Sequence, residues 1–256
     1  MFLRISVFLI MTFMVAPILI MIPLSFSSEV AFHFPPSGYS LQWYQNLWND
    51  NQWMEGLMLS LIVAVSTAIL STVLGIMASL AVRKLEFPGK KIFMNLMVAP
   101  MVIPVIVAGI AMYHSFAQFK INNTIVGLTL SHSILAIPIV FVTVLAGLKG
   151  MDPNLELAAQ SLGSTPIGTF FKVTLPLIRS SVISAGLFAF ITSLDEVVVT
   201  IFISGSYTKT LPIVMWENMR TQVDPTIAAV STVLIVVTTA VFLFSPGLVQ
   251  TKQVGK

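Results

Sequence analysis

Six long apolar runs constrain the fold of this chain more than any other feature of its sequence. They lie at about residues 5–26, 54–82, 92–115, 125–148, 177–203 and 226–249. Each can cross a hydrocarbon core about 30 Å thick as an α-helix, which satisfies its own backbone hydrogen bonds in lipid. Because only 9% of the residues are charged, the chain could not cover a soluble domain with a polar surface. We predict an all-α membrane protein with six transmembrane helices and a single domain, residues 1–256.

The placement of Lys and Arg predicts how these helices are oriented. If the six helices alternate across the membrane, ten of the thirteen basic residues lie on the side that holds both termini. The other three, Lys120, Lys209 and Arg220, lie on the opposite side. Because short cytoplasmic loops are enriched in Lys and Arg, we expect both termini in the cytoplasm. The basic character thus reflects membrane orientation and gives no reason to expect a nucleic-acid partner.

The first apolar run follows Arg4 and could also be the start of a secretory signal peptide. It extends from Ile5 to Phe26, whereas the apolar part of a signal peptide has about 7 to 15 residues. No pattern of small residues typical of a cleavage site follows it. We therefore expect a retained first helix.

Outer loops are predicted at about residues 27–53, 116–124 and 204–224. The first is rich in aromatic residues, and the spacing of its apolar positions predicts a short helix in the membrane interface. This helix could anchor the chain through Leu41, Trp43, Tyr44, Leu47, Trp48 and Trp53, or it could form a docking surface for an external partner. In the third outer loop, Pro212 favours the start of a short helix, and Asp224 followed by Pro225 marks the start of the sixth run.

Two of the apolar runs contain residues that predict how the helices pack and bend. The second run has small residues four positions apart, at Ser71, Gly75 and Ser79, which allow close approach of other helices, so we expect it to lie centrally. The third run contains Pro100 and Pro104, which bend helices by removing backbone hydrogen bonds.

The predicted inner loop between the fourth and fifth runs, residues 150–176, has strong helix signals. Asp152 is a good N-cap, Pro153 fits the first helical turn, and Gly163 fits the residue just past the end, where a positive φ is needed. We expect a helix of about ten residues, followed by a second short helix that starts at Thr165 and Pro166. The first helix has one narrow apolar stripe, formed by Leu155, Ala158, Ala159 and Leu162. By periodicity alone, this stripe could equally rest on the membrane surface.

This loop resembles the loop that marks the permeases of binding-protein-dependent ATP-binding-cassette importers. That pattern reads Glu-Ala-Ala, three residues, Gly, nine residues, Ile, one residue, Leu-Pro, and in the family it forms the coupling helix that docks into a cleft of the ATPase. The residues that match it are Ala158, Ala159, Gly163, Val173, Leu175 and Pro176. Val173 replaces Ile conservatively. Leu157 stands where the family often has Glu, and the acidic residue comes one place earlier, at Glu156, which we include in the predicted coupling set.

The resemblance covers nearly the whole chain and implies a complete transport machine. Segments around Asp195, Gly205, Pro212 and Pro225 are similar to the second permease of spermidine and putrescine importers. The resemblance implies a type I importer architecture in the bacterial cytoplasmic (inner) membrane and polyamines or a related small organic cation as substrate. It also implies three partners: an ATPase dimer that uses ATP and Mg, a second and different permease, and a periplasmic binding protein. Other substrates in such relatives are aminophosphonates, opines or amino-acid derivatives, thiamine and iron complexes.

Asp195 and Glu196 are the ionisable carboxylates deep within an apolar run. A carboxylate there is costly unless it faces a partner or a wet pathway. The candidate pathway residues are Asp195, Glu196, Ser193 and Thr192. Because adjacent helical residues diverge by about 100°, we expect at most one of the two carboxylates to point straight at the pathway, with Asp195 helping a cationic substrate to pass. If the helix is continuous, hydroxyls at Thr192, Ser193 and Thr200 could hydrogen-bond Glu196. The alternative is an interhelical polar anchor or a helix break. For His132, in the fourth run, we expect interhelical hydrogen bonds.

Several functional classes lack their motifs in this sequence. There is no phosphate-binding Gly-x-x-x-x-Gly-Lys-Ser/Thr loop, so we expect no ATPase site, and the chain itself should bind no cofactor. Neither His-Glu-x-x-His nor Gly-x-Ser-x-Gly occurs, and Cys is absent, so we predict no catalytic residues and no metal site. A secondary transporter or channel is the remaining rival, but many such carriers show internal repeats, and none is apparent here.

Overall fold

A computed structural model describes residues 2–221 and 224–243, with side chains for residues 3–221 and 224–240. These residues form helices joined by turns, with an isolated β-bridge between Ser27 and Tyr39. The all-α prediction is confirmed. The end of the sixth apolar run, residues 244–249, lies outside the described residues, as do Lys252 and Lys256.

The helices vary from 3 to 34 residues in length. In chain order they are α1 (Phe2–Ser25), α2 (Gln42–Asn49), α3 (Asn51–Lys84), α4 (Lys90–Val98), α5 (Val105–Gln118), α6 (Ile125–Lys149), α7 (Asn154–Ser161), α8 (Pro166–Thr169), α9 (Leu175–Leu177), α10 (Arg179–Leu194), α11 (Val198–Ile203), α12 (Leu211–Thr221) and α13 (Thr226–Leu243). A short 3₁₀ segment, Ala99–Met101, follows α4, and a π-helical turn, Phe170–Thr174, precedes α9.

Three helices, α1, α3 and α6, are each long and apolar enough to cross a bilayer. Two further candidate spans are pairs of helices that meet at a sharp bend, so the described residues contain three spans, or up to five if each pair is one span. The shorter helix α13 is apolar and continues toward the residues outside the description. The six-span count therefore remains a prediction.

The third apolar run forms two helices instead of one. The segment from Lys90 to Met101 and helix α5 meet at 104°. Pro104 immediately precedes α5, where it cannot donate a backbone hydrogen bond and disfavours helical geometry at Ile103. The predicted bend is confirmed, but a continuous helix over 92–115 is wrong.

The fifth apolar run is also interrupted. Helix α10 ends at Leu194 and α11 begins at Val198, so residues 195–197 separate two helices. At its other end, α10 makes an angle of 78° with the segment Pro166–Leu177. The expectation of one helix over 177–203 is therefore wrong, and the alternative of a helix break at the acidic pair is confirmed.

Helices α3, α6 and α10 pack together at the centre of the bundle. Small residues make this possible: a Cβ atom at Gly75 would lie 2.4 Å from Val140 Cγ1, so α3 and α6 are too close there for any side chain. The buried Ser79 hydroxyl donates to the Phe141 carbonyl oxygen at 3.0 Å. The central position predicted for the second apolar run is confirmed.

The predicted short helix in the first outer loop is confirmed as α2. Its Leu47 is buried with Trp53 in a cluster that also contains Leu211, Val214, Ile227 and Val230. Only 1% of Trp53 is exposed, and its indole packs against α12 and α13. The interfacial anchoring expected of Trp53 is therefore wrong. Trp43 Nε1 donates to the Ser27 carbonyl oxygen at 2.7 Å. Trp48 is largely exposed, and its anchoring role remains a prediction.

Candidate functional site

The inner loop at residues 150–176, which we call the coupling loop, contains its predicted helix as α7, with the expected signals at both ends. At its start, Asp152 Oδ1 accepts a hydrogen bond from the Asn154 amide at 2.9 Å. At its end, Gly163 has φ +88°, and the amides of Gly163 and Ser164 donate to the carbonyl oxygens of Gln160 and Ala159 at 2.9 and 3.1 Å. This is the Schellman arrangement that glycine permits. The local sequence therefore fixes both the length of α7 and the direction in which the chain leaves it.

The second short helix of the loop, α8, begins as predicted at Thr165, whose hydroxyl accepts from the Gly168 amide at 3.1 Å. Val173 lies in the π-helical turn that follows, and Leu175 and Pro176 form α9. Val173 and Leu175 are half-buried, whereas Pro176 is exposed. The three family-pattern residues thus connect the coupling loop to α10 instead of sharing the surface of α7.

The coupling loop exposes many of its apolar side chains. Leu162 is 90% exposed at the end of α7, and the other exposed large apolar residues of the loop are Leu155, Leu157, Ile167 and Phe171. Ala158 is exposed and Ala159 half-buried, so the α7 backbone is accessible between them. A concentration of exposed apolar side chains beside small residues is typical of a docking surface. We call these seven residues the coupling surface.

Glu156 does not belong to the coupling surface, although it was predicted with that set. It is only 8% exposed, and its carboxylate forms an ion pair with Lys84 Nζ at 3.0 Å and accepts a hydrogen bond from the Thr174 hydroxyl. Burial by itself raises the pKa of Glu156, but the Thr174 hydroxyl and the Lys84 ammonium, with a smaller contribution from Arg83, outweigh it and lower that pKa. The carboxylate therefore points into the permease.

The break in the fifth apolar run is held in part by Glu196. Its Oε1 accepts a hydrogen bond from the Val199 amide at 2.8 Å, in the first turn of α11. A carboxylate at this position satisfies an amide that has no partner within the helix and interacts favourably with the helix dipole. Glu196 is thus a helix-capping residue in this structure.

The hydroxyls expected near Glu196 instead hydrogen-bond His132. His132 is buried in α6, with Nδ1 2.8 Å from Ser193 Oγ and Nε2 2.9 Å from Thr200 Oγ1. The Thr200 hydroxyl also donates to the Glu196 carbonyl oxygen at 2.9 Å, and since it has a single proton, Nε2 donates to it. The interhelical role predicted for His132 is confirmed. The prediction that the Ser193 and Thr200 hydroxyls bond the Glu196 carboxylate is wrong. Ser193 is buried, which places it at this junction and away from open space.

Asp195 is exposed and lines an open groove. The groove has a volume of about 320 Å³, and its walls come from α12 and α13, through Pro212, Met215, Trp216, Met219, Ser231 and Leu234. We call it the Asp195 groove. Thr192, one turn before on α10, is half-buried and does not line it. The structure thus separates the four predicted pathway residues. Asp195 lines open space large enough for a small organic molecule, whereas Ser193 is buried and Thr192 and Glu196 are half-buried.

A larger cavity of about 850 Å³ lies between α12 and the segment after α11. Lys209 and Glu217 form an ion pair at 2.6 Å on its wall. Arg220 lies 5.7 Å from the ring centroid of Trp216, a separation at which a cation is attracted to the ring. Trp216 lines both this cavity and the Asp195 groove, so the two spaces share a wall.

Comparison with known proteins links this architecture to a family. Residues 71–251 match the model of the binding-protein-dependent transport system inner membrane component. The chain is 32% identical over 231 residues to the putrescine transport system permease protein PotI of Escherichia coli K12, covering 88% of this chain and 82% of that protein. It is 30% identical over 238 residues to the spermidine/putrescine transport system permease protein PotC of Haemophilus influenzae, covering 93% of this chain and 92% of that protein.

Solved structures share the fold at low sequence identity. A chain of a bacterial ABC transporter involved in the import of the acidic polysaccharide alginate superposes with a TM-score of 0.69 at 13% identity, covering 94% of this chain and 91% of the other. The alginate transporter bound to a periplasmic protein that carries an alginate pentasaccharide gives the same TM-score. An amino acid ABC transporter crystallised with histidines gives 0.58 at 18% identity, over 78% of this chain and 94% of the other.

Proposed function

The chain belongs to the family of binding-protein-dependent transport system inner membrane components, and we propose that it forms half of the pathway of a polyamine importer. It is the permease of an ABC importer, a membrane subunit without catalytic chemistry of its own. Family membership decides against the secondary transporter or channel that the sequence left as a rival.

The coupling surface, most of which lies on the capped helix α7, is the observation that supports the proposed mode of action. An ATPase that binds there would press on α7. Because the chain joins α7 to α6 and, through α8 and α9, to α10, this movement would reach two central helices of the bundle. ATP and Mg would be used by the ATPase dimer, and this chain would bind neither. The surface lies on the predicted cytoplasmic side, consistent with six transmembrane helices, a type I architecture and both termini in the cytoplasm.

The remaining partners follow from the same proposal. A periplasmic binding protein would deliver the substrate to the opposite end of the bundle, where the 850 Å³ cavity opens between α11 and α12. The solved alginate transporter in complex with its periplasmic protein is a precedent within the fold. A second, different permease would complete the pathway in the bacterial inner membrane.

The Asp195 groove supports a cationic substrate. Putrescine and spermidine, which the relatives' names give as their substrates, carry protonated amines at neutral pH. A fixed carboxylate offsets part of the cost of removing such an ammonium from water, and an aromatic ring such as that of Trp216 attracts it further. Aminophosphonates, opines or amino-acid derivatives, thiamine and iron complexes remain the alternative substrates.

Deletion of the gene in its host tests the proposal even before the partner subunits are identified. We expect uptake of labelled putrescine or spermidine at low concentration to fall and a plasmid copy of the gene to restore it. Unlabelled polyamines should compete with the uptake, whereas thiamine and aminophosphonates should not. Unchanged polyamine uptake in the deletion strain would contradict the proposed substrate while leaving the importer class intact.

A further inference from the structure

Three separate elements of the permease meet at the carboxylate of Glu156. Glu156 lies in the first turn of α7, Lys84 is the last residue of α3, and Thr174 ends the π-helical turn that leads toward α10. The ammonium of Lys84 and the hydroxyl of Thr174 both bind Oε1. We call these three residues the Glu156 cluster.

One connection made by this cluster, the link from α7 to α3, is not provided by neighbouring segments of the chain. Helix α7 is joined to α6 through residues 150–153 and to α10 through α8 and α9, but α3 is distant from it in sequence. The ion pair with Lys84 therefore supplies a direct contact between the coupling loop and the end of α3. Because α3 packs centrally against α6 and α10, a force applied to its end acts on the middle of the bundle.

The direction of the Glu156 side chain separates it from the coupling surface. Its neighbours Leu155 and Leu157 are exposed, whereas Glu156 is buried, as expected for residues that diverge by about 100° around a helix. Lys84 and Thr174 hold the carboxylate inside the permease through Oε1, so turning the side chain outward to another protein would break both bonds. A buried charge that loses its partners is strongly destabilised.

We propose that Glu156 is a positioning residue that transmits the movement of α7 to the ends of α3 and α10, and that it does not bind the ATPase. This inference rests on the proposed docking of the ATPase on the coupling surface. It assigns Glu156 an internal role. The charge of Glu156 then matters for coupling between ATP hydrolysis and transport but not for assembly of the complex.

The test uses the permease purified with the ATPase that copurifies with it. Glu156→Gln and Lys84→Gln should retain the ATPase within about twofold of wild type, because neither lies on the coupling surface. Stimulation of ATP hydrolysis by the putrescine-loaded binding protein should fall about fivefold or more in both variants, since each removes the ion pair that joins α7 to the end of α3. The charge exchange Lys84→Glu with Glu156→Lys should restore at least part of that stimulation.

The matched control is another ion pair on the predicted cytoplasmic side. Glu86 binds Lys90 at 2.8 Å, but the Glu86 side chain is 91% exposed, so Glu86→Gln should leave both readouts unchanged. Loss of the ATPase in Glu156→Gln but not in Lys84→Gln would instead identify Glu156 as an ATPase contact and overturn the proposal. The proposal would also be overturned if Glu156→Gln showed wild-type stimulation of ATP hydrolysis. It would equally fail if the charge exchange gave no more stimulation than the weaker single variant.

A covalent link provides a test that does not depend on charge. Since the chain has no Cys, Lys84→Cys with Glu156→Cys creates a unique thiol pair that a short bifunctional thiol reagent can join. The unlinked pair should be impaired, and linking it should raise stimulation, because the ends of α3 and α7 move together. A linked pair that is less active than the unlinked pair would contradict the proposal. If the wild-type permease retains no ATPase at all, the proposed function itself fails, which is a separate outcome.

Discussion

The imidazole of His132 lies 2.8 Å from the Ser193 hydroxyl, so the fourth apolar run is joined to the fifth just before the fifth breaks. The second ring nitrogen bonds Thr200 on the far side of the break. A single side chain of α6 therefore holds the ends of α10 and α11 together. The exposed Asp195 occupies the gap between these two helices.

Removal of the imidazole should destabilise the permease. His132→Leu loses two interhelical hydrogen bonds, each worth about 0.6 kcal/mol on average in membrane proteins, and we expect a total cost of about 1 kcal/mol or more. The midpoint of thermal unfolding in detergent should fall. His114→Leu is the matched control, because His114 is exposed near the end of α5 and should leave the midpoint unchanged. Equal midpoints for His132→Leu and wild type would show that this contact does not stabilise the break.

Gly163→Ala should reduce coupling through backbone strain. A Cβ atom at Gly163 would meet no neighbour within 4 Å, so the cost comes from φ +88°, which is about 1 to 2 kcal/mol for a non-glycine residue. The Schellman end of α7 should distort, and ATP hydrolysis stimulated by the loaded binding protein should fall. Gly150→Ala is the control, because its φ is −76° and its Cβ would have room. The two variants giving the same activity would argue against a role for this helix end.

Asp195→Asn removes the charge from the Asp195 groove and keeps the size of the side chain. If the carboxylate bonds a protonated amine, uptake at low substrate concentration should fall about tenfold or more, since a hydrogen bond to a charged group contributes about 1.5 to 3 kcal/mol. Asp195→Glu retains the charge and should keep most of the uptake. Wild-type uptake by Asp195→Asn at equal membrane abundance would mean that Asp195 does not serve the substrate.

Reporter fusions test the predicted topology. Fusions after Lys84, Lys172 and Lys256 should report the cytoplasm, and fusions after Lys120 and Lys209 should report the periplasm, as the distribution of basic residues predicts. The fusion at Lys172 is decisive because it lies in the coupling loop. Finding it outside would contradict the orientation of the whole permease.

The parts of this fold that sequence predicted well are those set by local chemistry. Asp152 and Gly163 define the ends of α7 through their own side chain and backbone, and the prolines of the third apolar run define its bend, so neighbouring residues suffice. The break in the fifth apolar run was predicted only as an alternative at the acidic pair. The contact that joins its two sides could not be predicted, because it comes from His132, which is more than 60 residues away and bonds Ser193 across the bundle.

The role of Glu156 was hidden for a related reason. By its position one place before the family's usual Glu, it was grouped with the coupling residues. Helix periodicity put it off the apolar stripe but did not show that its side chain would be buried. Its partner Lys84 looked like one of several basic residues that orient the chain in the membrane. Only tertiary packing brings the two side chains together and separates Glu156 from the coupling surface.

The most direct test of the account is the amount of ATPase that copurifies with coupling-surface variants. Ala159→Trp and Leu162→Glu change residues that are half-buried and 90% exposed, so the permease itself should still fold and insert. We expect each to lower the retained ATPase about tenfold, because a bulky or charged group would prevent apolar docking. Leu85→Glu, an exposed leucine on the same predicted side but outside the loop, should retain the wild-type amount. Wild-type retention of the ATPase by both coupling-surface variants would contradict the central claim that this loop is where the permease binds its ATPase.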